Sequence, residues 1–141
     1  MHTIDAKNRM SLPAAFRQEL QENSDLPPIL TSAHQCLQLH PHELWDSVED
    51  QLVEEATFDP ERQALSRLMI SGAVECPIDK NGRILVPLYL REEAGLDREV
   101  TVAGVGLKIE LWDKARFEED TNNTQARFAD MLRTVASRHG T

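Results

Sequence analysis

Cysteine is scarce in this chain of 141 residues, which has only Cys36 and Cys76. The two lie forty residues apart, and neither has a second ligand at metal-binding spacing. We therefore expect buried free thiols rather than a disulfide or a zinc site. A run of about 20 apolar residues, which a membrane-spanning helix needs, is also absent. The chain starts without the pattern of a signal peptide, so we expect a cytoplasmic protein with no membrane partner.

Motifs typical of enzymes are missing as well. The sequence contains no glycine-rich phosphate loop, no nucleophile elbow and no catalytic cysteine signature. His40-Pro41-His42, followed by Glu43, leaves a metalloenzyme open as an alternative. Two histidines around a proline seldom converge on one ion, however, and no third ligand has suitable spacing. We predict no enzymatic activity, no metal and no cofactor.

Basic residues are absent between Glu43 and Glu61, a segment that holds eight carboxylates. Taken over the whole chain, the net charge of −9 disfavours an acidic partner such as DNA. Outside this segment, however, sixteen acids stand against fifteen bases. The acidic segment therefore sets the sign, and a locally basic face elsewhere stays open.

A repeated motif is the strongest positive signal in the chain. The stretch from Ile78 to Arg91 has an earlier copy from Ile4 to Arg17, offset by 74 residues without a gap. Both copies contain Ile-Asp, an Arg four residues after the Asp, a Pro four residues after that Arg, and a second Arg four residues after the Pro. This match predicts two structurally equivalent halves.

Each half reads as two strands, a short helix, two strands and a longer helix, which predicts an α+β fold with a mainly β core and flanking helices. Asn8 and Gly82 occupy the same turn position, where a positive φ is expected. Pro13 and Pro87 are expected at the first helical position, and Gly95 at the end of the second short helix. The predicted strands are Thr3–Asp5, Arg9–Leu12, Ile29–Thr31, Cys36–Leu39, Val100–Ala103 and Leu107–Leu111, and the predicted short helices are Ala14–Glu22, with Ala15, Phe16 and Leu20 on its apolar side, and Leu88–Ala94.

Longer helices are predicted in the middle and at the end of the chain. One runs from about Pro41 to Glu55, and the next starts with Asp59 as its cap and ends near Gly72. We expect the second of these to bury Ala64, Leu65, Leu68 and Met69. The C-terminal helix should run from Asp113 to about Arg138 with an interruption at residues 121–124, and the last residues, 139–141, should be loosely held.

An Asp and an Arg four residues apart across a tight turn can support each other, because the carboxylate accepts from turn amides or from the guanidinium. One such pair alone usually only clamps a turn. Here the pair recurs, with Lys7 and Lys80 in the turns and Arg17 and Arg91 one helix later. Arginine suits base edges and phosphates, and lysine suits phosphates, so the pattern favours nucleic acid. A solvated surface charge stays open for Lys7, Lys80 and Arg17.

The two motifs, Asp5-Ala-Lys-Asn-Arg9-Met-Ser-Leu-Pro13 and Asp79-Lys-Asn-Gly-Arg83-Ile-Leu-Val-Pro87, resemble the tandem repeats of the MraZ family of bacterial transcriptional regulators. One motif alone would indicate only the wider AbrB-like class. Asn8 stands where the family usually has Gly, and family members usually begin several residues earlier. The candidate DNA-binding residues are Lys7, Arg9, Arg17, Lys80, Arg83 and Arg91, with Arg9 and Arg83 foremost, and the turn residues are Asp5, Asn8, Asp79 and Gly82.

The resemblance implies a double-psi-like swapped-hairpin β-barrel made from both halves. It also implies a homo-oligomeric ring of about eight or more chains, which binds short direct repeats in double-stranded DNA at the nucleoid and represses its own division and cell wall operon. We expect repeats at residues 1–45 and 74–117, an acidic helical connector at 46–73 and a C-terminal helix at 118–141. A protein-interaction module without DNA binding, antitoxin-like or scaffolding, is the alternative.

Overall fold

The computed structural model describes residues 2–139, except for the side chains of Asn23 and His139. These residues form a mixed α/β structure with antiparallel sheets. The strands are β1 (His2–Thr3), β2 (Arg9–Ser11), β3 (Ile29–Ser32), β4 (Leu37–His40), β5 (Val74–Glu75), β6 (Arg83–Leu85), β7 (Glu99–Val105) and β8 (Lys108–Asp113). The helices are α1 (Ala14–Asn23), α2 (His42–Glu55), α3 (Pro60–Ser71), α4 (Leu88–Ala94), α5 (Lys114–Ala126) and α6 (Phe128–His139).

Each half contributes strands that pair with strands of the other half. The larger sheet has the order β1-β7-β8-β4-β3-β5. The first strand of each half, β1 or β5, therefore pairs with the third strand of the other half, β7 or β3. β2 and β6, the equivalent strands that follow the two turns, pair with each other as a separate ribbon. Hydrogen bonds between strands within residues 2–139 form these two sheets and do not join them into a closed barrel.

An approximate two-fold axis relates the halves, and the strand register locates it. In the ribbon, Met10 faces Ile84, and these two residues occupy the same position in the two motifs. In the larger sheet, Gln38 of β4 faces Glu110 of β8, which are again equivalent positions. The axis therefore passes through both sheets, and each sheet contains strands from both halves.

The core lies between the ribbon, the short helices and the larger sheet. It is built from the apolar side chains Leu30, Leu37, Leu39, Val86, Leu90 and Leu111, all of which have no exposed surface. The cysteines Cys36 and Cys76 are buried free thiols, as predicted, and burial raises the pKa of each thiol to about 12. Their reactivity as thiolates is therefore suppressed at neutral pH.

Helix α4 allows a direct test of this packing. Leu90 is fully buried, whereas Leu88 on the same helix is 56% exposed. We expect Leu90→Ala to lower the free energy of unfolding by about 3 kcal/mol, because it leaves a cavity in the core. Leu88→Ala should change it by less than about 0.5 kcal/mol. Urea denaturation measures both, and equal losses would contradict the assigned core.

Most of the predicted elements are confirmed within one or two residues. Helix α4 matches its predicted range, and Gly95 ends it with φ 65°. Asp59 caps α3 by accepting from the amides of Glu61 and Arg62. Pro13 and Pro87 are not the first helical residues as predicted; each lies in the cap position one residue earlier. The extended ψ of each proline, 141° and 143°, explains this difference.

Some predictions about helices were wrong. On α3, Leu65 and Leu68 are 58% and 47% exposed, and Ser66 is buried instead, donating to the carbonyl of Leu52. Ala15 on α1 is also exposed. The C-terminal helices separate at Arg127 rather than within residues 121–124. The prediction for the last two residues, Gly140 and Thr141, lies outside the described part of the chain.

None of the helices within residues 2–139 has the length and apolar character to cross a bilayer.

Candidate nucleic-acid interface

The two turns are held by their aspartates in the same way. Asp5 Oδ1 accepts from the amides of Lys7 at 2.8 Å and Arg9 at 3.0 Å. Asp79 Oδ1 accepts from the amides of Asn81 at 2.8 Å and Arg83 at 2.9 Å. The carboxylates thus satisfy turn amides that would otherwise face only water. Each motif aspartate therefore fixes the point at which its arginine leaves the turn.

The residue before each arginine takes the left-handed conformation. Asn8 has φ 63° and Gly82 has φ 75°, as predicted from their equivalent positions. The main-chain amides of these residues each donate to the carbonyl of the aspartate three residues earlier, at 3.0 and 2.9 Å. Asparagine is the side chain that best tolerates this conformation, which explains why the first copy can omit glycine.

The turn of each half is also held by an arginine from the other half. Arg91 Nη1 donates to the Asp5 carbonyl at 3.0 Å and to Asn8 Oδ1 at 2.9 Å. Its Nε and Nη2 donate to the carbonyls of Leu96 and Asp97. Arg91 therefore ties the first turn to the end of α4.

Arg17 holds the second turn by a different contact. Its Nε donates to the Leu12 carbonyl at 3.1 Å, and its guanidinium lies against Gly82. A Cβ atom on Gly82 would stand 2.1 Å from Arg17 Nη1. The absence of a side chain at Gly82 thus leaves room for the Arg17 guanidinium. Both of these cross contacts engage arginines that are among the predicted DNA-binding residues.

Arg9 and Arg83 lie on the outward face of the ribbon formed by β2 and β6. The buried Met10 and Ile84 occupy its inner face, and Arg9 faces Leu85 across the ribbon. Side chains alternate between faces along a strand, so both arginines point away from the core. Diagonal neighbours in such a pair are roughly 7–8 Å apart, which places the two arginines close together.

The two arginines are not equally engaged. Arg83 Nη2 forms an ion pair with Asp5 Oδ2 at 3.0 Å, and these side chains are 36% and 40% exposed. Arg9 Nε is buried and has no hydrogen-bond acceptor within the described residues. A buried donor without a partner is unfavourable for stability. Lys7 and Lys80 are exposed within the turns on either side.

The turn aspartates should make stability depend on pH. The amide of Arg9 lowers the pKa of Asp5 below its ordinary value of 3.8, helped by the Lys7 amide and the charge of Arg83. The amide of Arg83 lowers the pKa of Asp79 in the same way. A lowered folded-state pKa contributes stability above pH 3.8 that is lost as the pH falls below it.

Replacing both aspartates tests this dependence. Asp5→Asn/Asp79→Asn should be less stable than the wild type at pH 7, and the difference should shrink as the pH falls from about 4 towards 2, where the wild-type carboxylates become neutral. Urea denaturation across that range measures the difference. A gap that stays constant down to pH 2 would contradict the turn assignment.

The histidines considered for a metal site serve other contacts. His40 Nε2 is hydrogen-bonded with Gln38 Oε1 at 3.0 Å, and His42 Nδ1 with the Pro27 carbonyl at 2.8 Å. Burial, followed by the nearby charge of Lys108, lowers the pKa of His40 to about 4. Within the described part of the chain, no cluster of three or more His, Cys, Asp or Glu side chains is arranged to hold a metal ion.

Comparison with known proteins gives a consistent result. A family model described as "MraZ protein, putative antitoxin-like" matches residues 1–68 and again residues 69–138. The transcriptional regulator MraZ of Thermoanaerobacter sp. (strain X514) is 41% identical over 130 residues, which cover 92% of this chain and 89% of the relative. The protein of the same name from Syntrophobacter fumaroxidans is 39% identical over 118 residues, covering 84% and 79%. That from Solidesulfovibrio magneticus is 39% identical over 137 residues, covering 96% and 90%.

Proposed function

The chain belongs to the MraZ family, and from this membership we propose that it is a DNA-binding transcriptional regulator that represses its own division and cell wall operon. The relatives that it matches carry the name of a transcriptional regulator. The observation that carries the DNA contact is the outward face of the ribbon, where Arg9 and Arg83 are diagonal neighbours that directly follow the turns fixed by Asp5 and Asp79.

In this proposal the ribbon faces the major groove, whose width admits a two-stranded β-ribbon. Arg9 and Arg83 contact guanine edges or phosphates, because a guanidinium can form two parallel hydrogen bonds to either. Lys7 and Lys80 bind flanking phosphates. Arg17 and Arg91 do not contact DNA in this proposal, because their guanidinium groups are engaged with the turns. These two thus position the contacting residues.

We further propose that the exchanged strands belong to a swapped-hairpin barrel, and that several chains assemble in a ring of about eight or more. A single small ribbon on a chain with a net charge of −9 should bind DNA weakly. Several ribbons engaging neighbouring direct repeats gain affinity by effective concentration, by roughly 100-fold or more. The regulator would therefore act on closely spaced repeats at the nucleoid.

Binding to the promoter region upstream of the chain's own gene tests the proposal. We expect fluorescence anisotropy to show saturable binding that weakens with rising salt, as counterion release requires. A shuffled sequence of equal length should bind less tightly. Absence of binding even at low salt would refute the DNA-binding proposal.

A protein-interaction module is the second candidate. Exposed Leu65 and Leu68 on α3 favour it, because apolar side chains left open on one helix suit a protein partner. The family description "antitoxin-like" points in the same direction. The anisotropy experiment separates the two candidates, since a module of this kind would leave the DNA signal unchanged at all salt concentrations.

A further inference from the structure

Helix α6 carries an apolar stripe that its own chain leaves open. Phe128, Met131, Leu132 and Val135 follow the spacing i, i+3, i+4 and i+7 of a helix that docks into a groove. Phe128, Leu132 and Val135 are 59%, 55% and 48% exposed. Twelve residues at 1.5 Å each give this helix a length of roughly 18 Å.

An apolar groove is also open on the body of the chain. Its first part has a volume of about 280 Å³ and is lined by Phe16 and Leu20 of α1, Leu44 of α2 and Ile109 of β8. The second part continues along α2 to Val48 and Leu52. Leu107 contributes to both parts and is 69% exposed. We call this surface the α2 groove; at 14 residues, α2 is roughly 21 Å long.

The charges at the ends of these two surfaces are complementary. Glu43 lies in the first part of the α2 groove and Glu55 in the second, twelve positions apart on one helix. Arg127 directly precedes α6 and Arg138 lies near its end, eleven positions apart, and at 100° per residue both fall on one side of the apolar stripe. Lys108 is also part of the lining and adds one positive charge.

We propose that the apolar stripe of α6 in one chain docks into the α2 groove of a second copy of the same chain. This inference rests on the assembly proposed above and assigns its contact surfaces. The stripe and the groove are different surfaces, so each chain offers one of each. Contacts between unlike surfaces are heterologous, so each chain can bind the next. A ring forms when the rotation that relates successive chains adds up to a full turn. Pairing by one self-complementary surface would stop at a dimer.

Two substitutions test the proposal separately from the DNA contacts. Leu132→Glu places a charge on the stripe, and Leu107→Glu places one in the groove. Both positions are exposed in the single chain, so both variants should fold. We expect each to be a monomer by light scattering at concentrations where the wild type is assembled. Ser137→Glu, about 180° from the stripe on the same helix, should assemble as the wild type does.

Mixing the two variants provides the decisive measurement. The Leu132→Glu chain retains its groove and the Leu107→Glu chain retains its stripe, so a mixture should form a dimer of one chain of each kind. Variants that keep the wild-type assembly would overturn this inference alone. Folded monomeric variants that do not combine would do the same, with circular dichroism as the check on folding. A wild type that is monomeric at all concentrations would overturn the ring as well.

Discussion

Arg9→Ala/Arg83→Ala is expected to lower the affinity for the operator by roughly 100-fold or more, since each arginine contact to a base contributes about 1–3 kcal/mol. Both side chains lie on the outward face of the ribbon formed by β2 and β6. Fluorescence anisotropy with labelled operator DNA at fixed salt measures the loss.

A matched control separates this effect from the change in net charge. Arg62→Ala/Arg67→Ala removes two positive charges from α3, where both residues are exposed. The control should lose less than about threefold in affinity, because distant exposed charges are screened. Equal losses in the two double variants would remove the ribbon from the mechanism. Because Arg83 also pairs with Asp5, the melting temperatures of both variants must accompany the comparison.

Arg91→Met is expected to produce the largest loss of stability among the motif residues, roughly 3 kcal/mol or more, since hydrogen bonds from a charged group contribute about 1.5–3 kcal/mol each. The side chain bonds to the Asp5 and Leu96 carbonyls and to Asn8 Oδ1, at 2.9–3.1 Å. Methionine keeps the length of the side chain but not its donors. Urea denaturation gives the free energy of unfolding.

Two other arginines serve as comparisons for Arg91. Arg17→Met should lose less stability, because the Arg17 guanidinium makes one hydrogen bond to a carbonyl and otherwise packs against Gly82. Arg98→Met, at an exposed position, should change the free energy of unfolding by less than about 0.5 kcal/mol. If Arg91→Met is no more destabilising than Arg98→Met, Arg91 does not hold the first turn.

Local features of this fold were predictable from the sequence. The turns follow from short-range requirements: an aspartate that accepts from nearby amides, and a residue at position 8 or 82 that tolerates a positive φ. The cap at Asp59 and the end of α4 at Gly95 are equally local. These signals involve residues within four positions of each other, so the sequence carries them directly.

Contacts between the halves were not predictable in this way. In the sequence, Arg17 and Arg91 are simply basic residues one helix after each turn. In the structure, the guanidinium group of each lies against the turn of the opposite half. The exposed leucines of α3 show the same limit, because helical periodicity does not reveal which side the neighbouring elements cover. Exchange of strands brings the turns next to these arginines, and it depends on pairs such as Met10 and Ile84, more than seventy positions apart.

The approximate two-fold axis through Met10 and Ile84 has a consequence for the kind of target that the chain can recognise. Two separate identical subunits would have to carry the same turn, and their binding site would have to be a palindrome. Here both turns belong to one polypeptide, so the first can keep Asn8 while the second keeps Gly82. In the proposed DNA complex, each half is thus free to evolve its own base preference, and an asymmetric operator becomes accessible to a nearly symmetric fold.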